Sequence, residues 1–248
     1  MAVKVTDLLG SKLNALRYEP TAKRLRASAA DQVLADTCDG LAVWEPGRIV
    51  PTYAVPLQDF SAELTPADTQ EHTIGGQVYA VTTAGMTLPS AAFRPKDPDL
   101  ADYLLLEFAQ FGWREEDEPI VGHPRDPFHR IDILRSSRHV RIELDGHRLA
   151  ESRRPVLLFE TLLPVRFYLP ADDVTAQMQT SDTVTYCAYK GRASYFSLPN
   201  GRSDIAWTYP DPLREAEPIR GHVCFFDEHV DVTVNGRRKS RPITPWSD

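Results

Sequence analysis

The sequence repeats itself. The segment "LRASAADQVLADTCDGLAVWEPGRIVPTYAVPLQDFSAEL" returns in altered form as "VRIELDGHRLAESRRPVLLFETLLPVRFYLPADDVTAQM". Leu34-Ala35-Asp36-Thr37 lines up with Leu149-Ala150-Glu151-Ser152, and Trp44-Glu45 with Phe159-Glu160. Tyr53 lines up with Tyr168, and all these pairs share an offset of 115 residues. One residue is then lost, so that Pro56 and Asp59 match Pro170 and Asp173. A second block pairs Glu118-Pro119-Ile120 and Gly122-His123 with Glu217-Pro218-Ile219 and Gly221-His222, and Asp132 with Asp231, at an offset of 99. Two ordered blocks predict a duplicated domain. The copies fall at 20–136 and 137–240, behind a helical N-terminal segment 1–19 and ahead of a tail 241–248. A length of 248 residues suits this division, since domains commonly run to about 100–150 residues.

The local patterns within the copies are those of strands. In "RHVRIELDGHRLAES", Val140, Ile142 and Leu144 alternate with Arg141, Glu143 and Asp145 before Asp145-Gly146, the signature of a half-buried hairpin closed by a type I′ turn. "VDVTVNG" alternates Val230, Val232 and Val234 and ends in a second turn pair. "DTVTYCAYKGRASYFSL" reads as two strands joined at Lys190-Gly191. The 20 prolines fall between such runs and break long helices. Short helices are expected at 6–17, where Leu8, Leu9, Leu13 and Leu16 share a face, and at 98–108. The latter lies in a stretch that the two repeat blocks make longer in the first copy.

Composition narrows the function classes. A net charge of −7 and a pI near 5.5 argue against nucleic acid as the main partner. No apolar run approaches the roughly 20 residues of a membrane helix or the core of a signal peptide. Cys38, Cys187 and Cys224 are widely spaced and form no CxxC pair, so neither a zinc site nor a redox dithiol is expected. Reduced thiols fit a cytoplasmic protein with no membrane association.

The pieces "RFYLPADDV", "TVTYCAYKGRASYFSL", "DIAWTYPDP", "EAEPIRGHVCFF" and "VDVTVNG", in that order, cover most of residues 138–236. By them the second copy resembles the DUF427 family, a domain of unknown function. The family pattern has proline after the cysteine, where this chain has Ala188. The first copy, with "VWEPGRIVPTYAVPLQDF", is similar to the N-terminal half of tandem members but lacks the cysteine–tyrosine–lysine–glycine motif. The resemblance implies a mainly β fold, with two tandem β-tent-like (Mss4-like) domains of antiparallel strands and a few short helices. Relatives of that fold often hold zinc through paired CxxC motifs. With none here, the metal does not carry over, and no cofactor is expected. A nucleotidyltransferase-like label attached to the family finds no glycine-rich phosphate loop with paired aspartates in this chain.

The candidate site is "TYCAYKG", residues 185–191. On a strand, Thr183, Thr185 and Cys187 share one face, and a thiol followed by Lys190 has a cation at hand to favour the thiolate. Cys187 and Lys190 are therefore the candidate catalytic residues. A small buried hydrophobe and an exposed turn lysine are the structural alternatives. Arg166 and Tyr168, two apart in "VRFYL", point to one face and form a possible clamp for a carboxylate or phosphate. Thr185, Tyr189, Trp207 and Tyr209 could line the same pocket. His222 is the candidate base, although its repetition as His123 also fits a structural role. Glu215 and Glu217 read as solvated. Three functions follow: a small-molecule pocket with chemistry through Cys187 and Lys190, a non-catalytic module for an anionic metabolite, or a protein-interaction scaffold.

Overall fold

The computed structural model describes residues 2–68, 72–199, 201–244 and 246–247. Within the tail 241–248, Pro245 and Asp248 lie outside the described residues. The chain divides into two compact units, Met1–Pro127 and Phe128–Asp248. After helix α1 (Val5–Gly10), the first unit runs through β1 (Arg17–Pro20), β2 (Leu25–Ala29), β3 (Gln32–Thr37), β4 (Leu41–Trp44), β5 (Thr52–Pro56), β6 (Glu63–Ala67), β7 (Gly76–Thr83), β8 (Met86–Pro95), β9 (Tyr103–Leu106), β10 (Gly112–Glu115) and β11 (Glu118–Ile120). The second runs through β12 (Ile131–Arg135), β13 (Val140–Leu144), β14 (His147–Ser152), β15 (Val156–Glu160), β16 (Arg166–Pro170), β17 (Gln179–Cys187), β18 (Gly191–Ser197), β19 (Ala206–Thr208), β20 (His222–Phe225), β21 (Asp231–Val234) and β22 (Arg237–Arg238).

The two units have the same topology. A seven-stranded sheet has the order β1-β4-β5-β9-β8-β7-β6 in the first and β12-β15-β16-β20-β19-β18-β17 in the second. Each is accompanied by a four-stranded sheet, β11-β10-β2-β3 or β14-β13-β21-β22. The fold is thus mainly β, two tandem antiparallel domains with short helical pieces. The division falls at 127/128, ahead of the 136/137 boundary read from the repeat, because β12 is the edge strand of the second unit's large sheet and pairs with β15.

Strand register corrects three other expectations. The offset-99 block is a coincidence of letters: Glu118–Ile120 is β11, whereas Arg214–Ile219 is a 3-10 turn that leads into β20. The element equivalent to β11 is β22, and the equivalent of β20 is β9. Tyr53 is not the counterpart of Tyr168. Leu41 faces Ala54 in the first unit and Val156 faces Tyr168 in the second, so the lost residue falls before β5. Tyr53 is then equivalent to Phe167, and both lie in the cores between sheets. A one-residue slip moves a side chain to the opposite face. Finally, 98–108 is not helical. Leu104, Leu105 and Leu106 are buried on both faces of a central strand, which is a better fit for a continuous apolar run than a one-sided helix. Of the helix expected at 6–17, only Val5–Gly10 forms.

The alternation of β15, β16 and β20 decides what each face of the second unit's large sheet carries. Leu157, Phe167, Leu169, Val223 and Phe225 pack with Val140, Ile142 and Val232 of the small sheet. Val156, Leu158, Tyr168, Trp207 and Cys224 point the other way and are covered by Ala216 and Ile219 of the 3-10 turn. This second, outer face positions the candidate site. No helix among the described residues is long and apolar enough to cross a membrane.

Candidate functional site

Glu160 ends β15 on the outer face with its side chain only 8% exposed. A bare carboxylate cannot be buried there without partners. It receives two. Lys190 Nζ lies 2.6 Å from both carboxylate oxygens, and His129 Nε2 lies 3.0 Å from Oε1. Burial pushes the carboxyl up, but the His129 hydrogen bond and the Lys190 charge outweigh it, leaving Glu160 ionised down to about pH 2. An ionised carboxylate only accepts, so the imidazole proton sits on Nε2 and Nδ1 is the ring's remaining nitrogen.

The turn 188–190 carries Lys190 inward. Lys190 is buried, its carbonyl accepts from Leu213 N at 3.1 Å, and Gly191 follows at φ +93°, a conformation that disfavours any side chain. Tyr189, in the same turn, stacks on His129 with ring centroids 4.5 Å apart. Burial raises the Tyr209 phenol far above the ordinary range, and Cys187 and Glu160 add to the effect. Cys187 is half-buried at the end of β17. Tyr189 and Lys190 thus meet His129 and Glu160, and Tyr209 lies within electrostatic reach of both Glu160 and Cys187.

The other candidates lie elsewhere. His222 faces Pro170 on β20, in the row that continues through Tyr209 and Ala193 to Thr185. Three strand spacings separate it from β17 in the sheet order. Its Nδ1 meets the Arg220 carbonyl at 3.0 Å. Arg166 forms a bidentate pair with Glu228, at 2.8 and 2.6 Å, and its guanidinium lies 5.5 Å above the Trp207 ring. Burial alone would weaken that cation, but Glu228 holds it protonated. Thr244 of the tail closes the pair with a 2.6 Å bond to Glu228. Tyr168 accepts a hydrogen bond from Trp207 Nε1 at 3.0 Å in the outer core. Thr185 bonds Tyr195 at 2.8 Å on the exposed edge strand. Glu217 pairs with Arg220 at the surface, as a solvated residue would. No cluster with metal-ligand composition occurs among the described residues.

Sequence reasoning missed His129 and Glu160. His129 falls inside the first copy as read from the repeat but in the second unit of the structure, and no motif surrounds it. Glu160 was visible as the repeat partner of Glu45, and that was the available signal. Glu45 is just as buried and also holds an imidazole, His72, at 2.9 Å.

The model of the DUF427 family, a domain of unknown function, matches residues 132–236. The match lies within the second unit. No curated protein matches the chain.

Proposed function

We propose that the second unit acts on a small electrophilic molecule at the Cys187–His129–Glu160–Lys190 cluster. The observation that carries this reading is Glu160, a buried carboxylate that holds His129 by Nε2 while His129 stacks on Tyr189, two residues after Cys187. A carboxylate that fixes a tautomer, an imidazole with one nitrogen to spare and a nearby thiol are the parts of a nucleophilic site. In this reading the Sγ proton passes to His129 Nδ1, the sulfur lone pair forms the bond to the electrophilic carbon, and the leaving group departs with its bonding pair and takes up that proton. Lys190 is not the nucleophile in this reading, because its Nζ is already hydrogen-bonded to both oxygens of Glu160. Its role is to keep Glu160 ionised and in place.

Binding of an anionic metabolite by Arg166 and Lys190 draws less support, because each cation is already paired with a carboxylate. The scaffold reading draws on β17, an edge strand with Val184 and Tyr186 exposed, open to addition of a strand from a partner.

The test is intact-mass screening of chloroacetamide fragments on the full chain. The account expects a subset of fragments to label Cys187 selectively, with that labelling lost in His129→Asn and labelling of exposed Cys38 unchanged. Equal labelling of Cys187 in both proteins would remove His129 from the site.

A further inference from the structure

The place that Arg166 fills in the second unit is taken in the first by the much shorter Thr52. Register makes Thr52 the equivalent of Arg166, Phe93 of Trp207, Leu105 of Cys224 and Glu107 of Phe226. The short Thr52 side chain leaves a cleft, whose wall includes Arg48, Thr52, His72, Ser90, Phe93 and Glu107. Ser90 sits at φ +49°, where β8 bulges against β7, and its equivalent Asp204 has nearly the same φ of +50°. Bulges and left-handed residues of this kind gather beside functional sites.

His72 is built into this cleft as a directed group. Its Nδ1 lies 2.9 Å from Oε1 of Glu45, and Glu45 is only 1% exposed. The other carboxylate oxygen accepts from Thr73 N at 2.9 Å. Burial pushes the Glu45 carboxyl up, but these bonds more than offset it and the group stays ionised. In the neutral ring the imidazole proton therefore sits on Nδ1, and Nε2 carries the lone pair. The ring is fixed by stacking on Phe93 at 3.7 Å and 11°. Nε2 is buried without a hydrogen-bond partner, an arrangement that folded proteins rarely leave unexplained. Arg48, exposed, belongs to the same wall and is ion-paired with Glu45 Oε1 at 3.8 Å, too far for a hydrogen bond.

We propose that this cleft is a second small-molecule site, separate from the Cys187 cluster, that binds a small hydroxylated anion. The hydroxyl donates to His72 Nε2, and the carboxylate or phosphate of the ligand rests on Arg48. The copy that lacks the cysteine motif is then a binding domain in its own right.

The imidazole nitrogens of the full chain, followed by ¹⁵N NMR, test this directly. The probes are glycolate and glycerol 1-phosphate, each against its deoxy control, acetate and propyl phosphate. The site predicts a saturable shift of the His72 Nε2 signal with at least one hydroxylated probe, bound about tenfold more tightly than its control. Arg48→Gln should weaken a hydroxylated probe and its control together. His72→Asn keeps a donor towards Glu45 but removes Nε2, and should bring the hydroxylated probe down to its control. The wild-type comparison decides even if that variant fails to fold. A His72 signal that neither hydroxylated probe moves, or equal binding of probe and control, would overturn the proposal.

Discussion

At the residue scale, the second unit is governed by a few buried charges whose partners set their pH behaviour. Glu160 titrates at about 2 in the folded chain, against an ordinary value near 4.5. A depressed carboxyl stabilises the fold above its unfolded value, and that contribution, about 3 kcal/mol, is lost as pH falls from about 4.5 to 2. Lys190→Met removes the ammonium and leaves Glu160 with His129 alone. It should cost roughly 3 kcal/mol at pH 7 in urea denaturation and move the acid limb of the stability curve upward. Asp227 behaves in the opposite sense. Burial raises its carboxyl to about 6, only partly relieved by Arg166 and Lys239, while Glu228 adds to the rise. The folded chain then holds a proton that the unfolded chain has released between about pH 4 and 6, so this group costs stability as pH rises through that window. Asp227→Asn should stabilise by about 2 kcal/mol at pH 7.5 and by nothing below pH 4. A flat difference across the range would contradict this assignment.

At the element scale, the repeat survives most clearly where it fastens strands to turns. Thr37 Oγ1 donates to Asp59 at 2.7 Å, and Ser152 Oγ donates to Asp173 at 2.6 Å. The same hydroxyl oxygens accept from the backbone N–H two residues on. The hairpin Asp145-Gly146 has its counterpart in Ala30-Asp31, with φ of +48° and +58° on residues that do not favour it. Replacing Ala30-Asp31 by Asn-Gly should therefore stabilise the first unit by about 1 kcal/mol in thermal or urea unfolding. These elements were legible in the sequence because alternation and turn pairs act locally. The lost residue before β5 was not, because two tyrosines at the right spacing suggested an alignment that only strand pairing could refuse. Nor was Leu104–Leu106, where an apolar run alone cannot separate a central strand from a helix. The turn 185–191 was recognised, but the burial of Lys190 depends on Glu160, thirty residues away in sequence, and Glu160 in turn holds His129, which the repeat assigned to the other copy.

At the scale of the whole molecule, the duplication gives two domains with the same strand order and different contents on the outer sheet face. In the second, Arg166 and Trp207 fill the surface, and the polar cluster collects at the turn after β17. In the first, Thr52 leaves the surface open and a Glu45–His72 pair stands in the gap. Each unit has its own core between sheets. Residues 128–248 produced alone should thus show a β-type circular dichroism spectrum and a single cooperative unfolding transition. A fragment without cooperative unfolding would mean that the second core is incomplete.

The most direct measurement of the central claim is the rate of Cys187 alkylation by iodoacetamide between pH 5 and 10, in full-length Cys38→Ser protein, with and without His129→Asn. Cys224 can stay, since it is fully buried. If His129 on Glu160 serves Cys187, the native protein reaches half its maximal rate below pH 8, and the variant needs a clearly higher pH. Coincident profiles, or no reaction of Cys187 until the protein unfolds, would contradict the account and leave the cluster a structural ion pair.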